Sequence, residues 1–175
     1  MYKYLLSLFF SFFFTACVYV PYTPQNGIEK LAEMLQTLDS RIPPGEAYLL
    51  SQDIFSEIRK LTQKFKPVSE PHFNNFLINT GLKEQGLCYE WSDALYLHFK
   101  QSGYSGFEFH LLVANQGEYF FEHNVLVVTA KDSDVMEGVI IDPWRKPGEV
   151  YFSKVKDDTR YTWRHRAERG CQNGR

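Results

Sequence analysis

The stretch that organises the chain is Gly86-Leu87-Cys88-Tyr89-Glu90-Trp91-Ser92-Asp93-Ala94-Leu95. A helical pattern begins at Cys88, and its apolar positions recur every three or four residues: Trp91, Ala94, Leu95 and His98 or Phe99. A thiol at a helix N-terminus meets the positive end of the helix dipole and backbone N–H groups that have no partner inside the helix. Both favour the thiolate, which is the nucleophilic form of cysteine. The stretch therefore predicts a reactive thiol at the start of a buried helix.

The composition indicates one folded domain. The chain has 175 residues, of which 44% are hydrophobic and 17% aromatic, so a sizeable core can form, and the composition is not that of a disordered chain. A net charge of −2 gives no reason to expect nucleic acid as a partner. Residues 154–175 are locally basic, with seven Lys or Arg against three Asp or Glu. This end is either a solvated tail or a contact for anionic lipid or glycan.

The first residues have the pattern of a secretory signal peptide. Lys3 is followed by an apolar run over residues 5–14, and Thr15-Ala16-Cys17 then supplies small residues for cleavage. Ten helical residues rise about 15 Å, which is half of a hydrocarbon core of about 30 Å. A retained transmembrane anchor is therefore the weaker interpretation.

Phe14-Thr15-Ala16-Cys17 also resembles a bacterial lipobox. The resemblance implies a signal peptide over residues 1–16, lipidation of Cys17 and a short tether over residues 17–25. The protein is then expected in the cell envelope, anchored by lipid on the outward side of the bacterial cytoplasmic membrane, with that membrane as a partner. Cleavage by an ordinary signal peptidase, which leaves Cys17 free, remains open.

Residues 26–165 are predicted to form a single domain, and residues 166–175 a flexible basic tail. In the first helix Asn26 is the expected cap, with Glu29 in the capping-box position. The second helix has the clearest period, with apolar residues three or four positions apart: Ala47, Leu50, Ile54, Ile58, Leu61 and Phe65. A short third helix is predicted over 69–79, with these residues facing inward: Phe73, Phe76 and Leu77.

After Gly106 the pattern changes to strands. Runs rich in β-branched and aromatic residues predict strands over 107–114, 119–130 and 139–142, with a turn between the first two. Weaker strands are expected over 150–155 and 161–164. Helices first and an antiparallel meander second predict the α+β class, with N-terminal helices packed on the sheet.

Two further residues give the thiol the partners that nucleophilic catalysis needs. His123 lies within the second predicted strand, and Asp142 ends the third. Neighbouring antiparallel strands hold facing side chains within about 5 Å, so the imidazole and the carboxylate can bond directly. The helix of Cys88, packed on that sheet, can bring its N-terminus over His123. The three residues then provide a nucleophile, a base and a group that orients the base.

This order of residues resembles the transglutaminase-like branch of the papain-like fold. The match is carried by Gly86-Leu87-Cys88 with Ala94, by His123 with the hydrophobic strand after it, and by Ile141-Asp142-Pro143-Trp144. It covers residues 80–145, and Asn124 stands where many members of the branch have an aromatic residue. The resemblance implies a papain-like core and acyl transfer through a Cys88 thioester on peptide-type amides, with His123 as base and Asp142 as orienter.

The oxyanion donor is not identified by a motif. The Cys88 backbone N–H is one candidate, and the side-chain amide of Gln85 is another, by analogy with the glutamine that precedes the nucleophile in papain-like enzymes. Trp144 is expected in the core or on the cleft wall. The expected substrate is a protein or peptide, no cofactor is expected, and the oligomeric state is left open.

Other interpretations of the same residues remain. The three side chains are also compatible with a zinc site, although neither C-x-x-C nor H-E-x-x-H is present. A cell-wall endopeptidase of the Cys-His-His type is a closer rival. A disulfide between Cys88 and Cys171 would disable the site. Finally, the fold could serve as a catalytically inactive module for binding or assembly.

Overall fold

The computed structural model describes residues 24–43, 45–68 and 70–166. In this part of the chain the helices precede the sheet: α1 Pro24–Gln36, α2 Glu46–Phe65, α3 Pro71–Asn79 and α4 Cys88–Lys100. The strands follow: β1 Phe107–Ala114, β2 His123–Ala130, β3 Val139–Asp142, β4 Tyr151–Lys154 and β5 Arg164–His165. The predicted α+β class, with helices N-terminal to an antiparallel sheet, is confirmed.

The predictions for the leader, for Cys17 and for Cys171 lie outside the described residues. Within them, every helix is too short or too polar to cross a bilayer.

Helix α2 follows its predicted period closely. Leu50, Ile54 and Ile58 are fully buried, and the helix lies in the centre of the larger core cluster with α1 and α4. It ends at Phe65, and the next residue, Lys66, has a positive φ of 45° and an N–H that donates to Thr62 O at 2.9 Å. Such a left-handed residue is a common way to end a helix.

Two predictions about the other N-terminal helices are wrong. Helix α1 begins at Pro24, so Asn26 lies inside the helix and is not its cap; proline suits a first turn because its φ is already helical. In α3, Phe73 and Phe76 are exposed, and the buried residue is Asn74. The polar residue faces inward because its Nδ2 donates to Gly86 O at 3.0 Å, in the loop before α4.

The five strands lie in the order β4-β3-β2-β1-β5, with antiparallel pairing throughout. Strands β1 to β4 make the predicted meander, while β5 joins the opposite edge beside β1, with Arg164 facing Val113. The last strand was predicted over 161–164 and lies at Arg164–His165 instead.

The start of β2 was also predicted wrongly. The strand begins at His123, whereas Tyr119 and its two aromatic successors are exposed in a turn closed by the Glu122 N–H, which donates to Glu118 O at 2.7 Å. Aromatic residues favour strands only where a neighbouring strand or a core covers them, and neither covers this segment.

The sheet has a core cluster on each face. On β2, Leu126 and Val128 face the helices, and Val125 and Val127 face a smaller cluster that contains Trp163. Alternate residues of a strand point to opposite faces. Asn124 therefore lies on the face that carries the helices, and His123 lies on the face of the smaller cluster. The helix α4 packs against β1 and β2, with Cys88 at its first position.

Candidate active site

The loop before Cys88 is fixed by the first turn of α4. Gly86 has a φ of +117°, a conformation that glycine adopts without the clash of a Cβ atom. The Gly86 and Leu87 N–H groups donate to Glu90 Oε2 at 2.6 and 2.8 Å. On the other side, Gly86 O accepts from Asn74 and from Trp91 Nε1. These bonds hold Cys88 as the first residue of the helix, where its own N–H has no intrahelical partner.

His123 and Asp142 form a buried pair. Nε2 of the imidazole lies 2.7 Å from Oδ2 of the carboxylate, and each side chain is 1% exposed. The register of β2 and β3, in which Leu126 faces Ile141, leaves the two residues at adjacent strand ends on the same face. The predicted contact between the two side chains is therefore present.

Arg145 is a second partner of this carboxylate. Its backbone N–H donates to Asp142 Oδ1 and its Nε to Oδ2, both at 3.0 Å, and its two Nη atoms contact both oxygens of Asp158. Burial alone would raise the pKa of the Asp142 carboxyl, but the charges of His123 and Arg145 outweigh burial and lower it. The pair is a carboxylate that faces an imidazole in a dry environment.

Three aromatic rings surround the imidazole. The ring centroids of Trp144, Tyr161 and Trp163 lie 4.7, 4.8 and 5.6 Å from that of His123. Trp144 is itself held by Asn75 of α3, whose Oδ1 accepts from the indole N–H at 3.1 Å. This aromatic cage (Trp144, Tyr161 and Trp163) excludes water from the imidazole and restricts its rotation.

The Cys88 thiol is close enough to the imidazole of His123 to raise its pKa. Nδ1 of His123 is buried and has no hydrogen-bond partner in the described part of the chain. Burial would lower the pKa of His123, but Asp142 and then the Cys88 thiol raise it to about 9. The sulfur lies 3.6 Å from the backbone oxygen of Glu122, to which the thiol donates. In this structure the thiol donates to the Glu122 carbonyl, and His123 Nδ1 is left as a second acceptor without a partner among the described residues.

A second polar cluster contacts the sulfur from the helix-facing side of the sheet. Asn124 is buried, and its Nδ2 lies 3.7 Å from Cys88 Sγ and 3.1 Å from Glu122 Oε1. Its Oδ1 accepts from Arg166 Nη1 at 2.7 Å, and Arg166 Nη2 contacts Asp93 on α4. Arg166 was assigned to the flexible tail, which is wrong, since its side chain is buried in this cluster.

The other predicted site residues have separate positions. Gln85 is half-buried, and among the described residues it bonds through its backbone oxygen, which accepts from Lys83 Nζ, and not through its amide. Its role as oxyanion donor stays a prediction. Trp144 forms one wall of the aromatic cage. In the described ranges, no three His, Cys, Asp or Glu side chains are grouped as a metal site requires, and Cys88 is a free thiol.

Several residues of the site were not predicted. The alternation of β2 could have indicated Asn124, because it places this residue on the face that carries α4. Arg145 stands three residues after Asp142, a spacing that allows a local ion pair. The sequence offers no such signal for Tyr161 and Trp163, because their position depends on β5 pairing with β1 across the sheet.

No protein-family model matches the chain, and searches among curated proteins and solved structures find no similar protein. The α+β class is established by the structure itself, while the resemblance to the transglutaminase-like branch stays a prediction.

Proposed function

We propose that the protein is a thiol hydrolase or acyltransferase that acts on peptide-type amides through a thioester on Cys88, on a papain-like core of the transglutaminase-like branch. The observation that carries the proposal is the buried His123–Asp142 pair at 2.7 Å, with the Cys88 thiol close enough to help to raise the pKa of His123. A buried ion pair often stabilises a fold no more than apolar residues of similar size would. A chemical role therefore accounts for the His123–Asp142 pair better than stability does.

The arrangement supports a two-step reaction. His123 Nδ1 takes the thiol proton, and the Cys88 sulfur attacks the amide carbon to give a tetrahedral oxyanion. The imidazolium then returns the proton to the leaving amine as the C–N bond breaks, which leaves a thioester. Water or a second amine, deprotonated by the same imidazole, attacks the thioester and regenerates the thiol. Asp142 stabilises the imidazolium in both steps.

A specific observation favours the second candidate, an inactive module for binding or assembly. Cys88 is only 5% exposed, and its thiol is bonded to the Glu122 carbonyl. A substrate reaches the sulfur only when the segment that carries Glu122 moves. If this contact is permanent, the same residues serve as a rigid core for an interaction surface.

An activated ester separates the two candidates without knowledge of the substrate. 4-Nitrophenyl acetate acylates a reactive thiol and releases 4-nitrophenolate, so wild type should show a burst of about one equivalent per chain. The burst should vanish in Cys88→Ala and fall by at least about a hundredfold in rate in His123→Ala. A screen of peptide amides on wild type and Cys88→Ala then tests the substrate class.

His110→Ala is the matched control for His123→Ala. His110 also lies on a strand of the sheet and bonds a neighbouring strand through Thr129, at 3.1 Å, but it has no contact with Cys88. Its removal should leave the burst unchanged. A burst in wild type that equals that of Cys88→Ala would refute the enzymatic proposal and leave the binding module.

The location is a separate part of the proposal. The lipobox-like Phe14-Thr15-Ala16-Cys17 and the apolar run before it support export and lipidation of Cys17. Metabolic labelling with a clickable palmitate analogue should mark the wild-type chain and not Cys17→Ala. Labelling that persists in Cys17→Ala would contradict this anchor.

A further inference from the structure

We infer that the side-chain amide of Asn124 is the oxyanion donor of the site, acting together with the backbone N–H of Cys88. The inference rests on the proposed function, because it concerns the acyl-transfer step at the same sulfur. It assigns the role to a residue of β2 and to neither Gln85 nor any other residue of the loop before α4.

The first support is the position of the amide. Asn124 Nδ2 lies 3.7 Å from Cys88 Sγ, and it belongs to the strand residue next to the proposed base. In the tetrahedral intermediate the oxyanion is bonded to the carbon that the sulfur has attacked, so it lies within about 3 Å of the sulfur. An N–H group just beyond the sulfur can meet this oxygen at hydrogen-bond distance.

The second support is the orientation of the amide. Asn124 Oδ1 accepts from Arg166 Nη1 at 2.7 Å, and a guanidinium can only donate. The oxygen of the amide is therefore committed to Arg166, and the NH2 group must point the other way, towards Cys88 and Glu122. The contact of Arg166 with Asp93 ties this assignment to α4, the helix that carries the thiol.

The third support is that the Asn124 amide is fixed in position and buried away from water. Asn124 is 2% exposed, and a fixed donor in a water-excluded site stabilises a developing charge more strongly than the same group in water. Its present acceptor is Glu122 Oε1 at 3.1 Å. The Cys88 N–H at the first position of α4 adds a second donor from the helix end, which favours negative charge.

Glu122 gives the site a resting state. Its backbone oxygen accepts from the Cys88 thiol and its side-chain oxygen accepts from the Asn124 amide. One residue therefore occupies both groups that the reaction needs, the nucleophile and the proposed oxyanion donor. Displacement of Glu122 by the incoming carbonyl frees both groups in a single movement.

The experiment compares two reactions of the same thiol. Acylation by 4-nitrophenyl acetate passes through an oxyanion, whereas alkylation by iodoacetamide is a direct displacement at carbon and forms none. In Asn124→Ala the acylation rate constant should fall by about 10²–10³, while the alkylation rate constant should stay within about threefold of wild type. Asn124→Asp keeps the shape and the bond to Arg166 but removes the donor, so its acylation should fall as well.

Thermal unfolding of both variants shows whether they fold, and Asn79→Ala, on the exposed end of α3, is the surface control. Equal losses in acylation and alkylation would overturn the inference, because Asn124 would then only hold the thiol in place. Unchanged acylation in folded Asn124→Ala would overturn it too. If wild type shows no burst that depends on Cys88, the proposed function itself fails, and this outcome is distinct from the other two.

Discussion

Arg145 donates to both oxygens of Asp142, through its backbone N–H and its Nε, each at 3.0 Å. The same guanidinium contacts both oxygens of Asp158 and lies over the ring of Tyr151, with 4.1 Å between its Cζ atom and the ring centroid. One cation thus contacts two carboxylates, and one of them, that of Asp142, also bonds the proposed base His123. The charge balance of the site depends on this residue.

Replacement of Arg145 by leucine should therefore destabilise the fold strongly. Removal of one partner of a buried ion pair typically costs about 3–5 kcal/mol, because the remaining charge loses its partner in a dry environment. Urea unfolding followed by tryptophan fluorescence measures the loss. Arg41→Leu is the matched control, since Arg41 pairs with Asp39 on the exposed surface and its loss should not be detectable. Equal stability of the two variants would contradict the importance of burial here.

The stability of the protein should fall as the pH rises from about 6.5 to about 9. The pKa of His123 is raised to about 9, from an ordinary value of 6.5. A raised pKa stabilises the fold below the unfolded value and loses that contribution as the pH rises through the folded one. The expected contribution is at most about 3 kcal/mol. Melting curves of wild type and His123→Gln at pH 6, 7.5 and 9 measure the contribution of His123. If the stability of the two proteins changes with pH in the same way, the prediction is refuted.

If the proposed reaction takes place, its rate should have a basic limb near pH 9. Above this pH the imidazolium of His123 loses the proton that it must give to the leaving group. Asp142→Asn removes the carboxylate that raises the pKa of His123, so the limb should move down by at least about one pH unit. The pH profile of kcat/KM, measured on the first peptide amide that proves to be a substrate, tests this. A limb at the same pH in Asp142→Asn and wild type would show that Asp142 does not raise the pKa of the base.

Replacement of Gly86 by alanine should disturb the site more than the fold. A Cβ at this position would strain the backbone at φ +117° and would lie 3.1 Å from Lys83 Nζ and 3.3 Å from Asn74 Nδ2. We expect a loss of about 1–3 kcal/mol in stability and a slower reaction of the adjacent Cys88 with iodoacetamide. Gly103→Ala is the control, with φ +76° and no atom near the added Cβ; it should leave Cys88 unaffected.

The local parts of the fold could be predicted from the sequence. The period of α2, the start of α4 at Cys88 and the bounds of β1 and β3 all follow from patterns within a dozen residues. The contact between His123 and Asp142 was also predictable, because consecutive antiparallel strands are neighbours in space.

The remainder depends on contacts that are distant in sequence. The inner face of α3 is polar because Asn74 reaches the loop before α4, and no helical period indicates that. The sequence alone places Arg166 in the tail, because its buried position depends on the pairing of β5 with β1. The alternation of β2 was not used in the prediction that α4 lies over His123. Because alternate residues point to opposite faces, Asn124 lies on the side of the sheet that carries α4.

The position of β5 also determines when the site is complete during synthesis. Its nucleophile and base are Cys88 and His123, but Tyr161 and Trp163 beside the imidazole directly precede β5, and Arg166 beside Asn124 directly follows it. A nascent chain that contains only the first four strands lacks two of the three rings that surround the imidazole. The thiol and the imidazole therefore acquire their finished surroundings only after residues 161–166 have been synthesised and β5 has paired with β1.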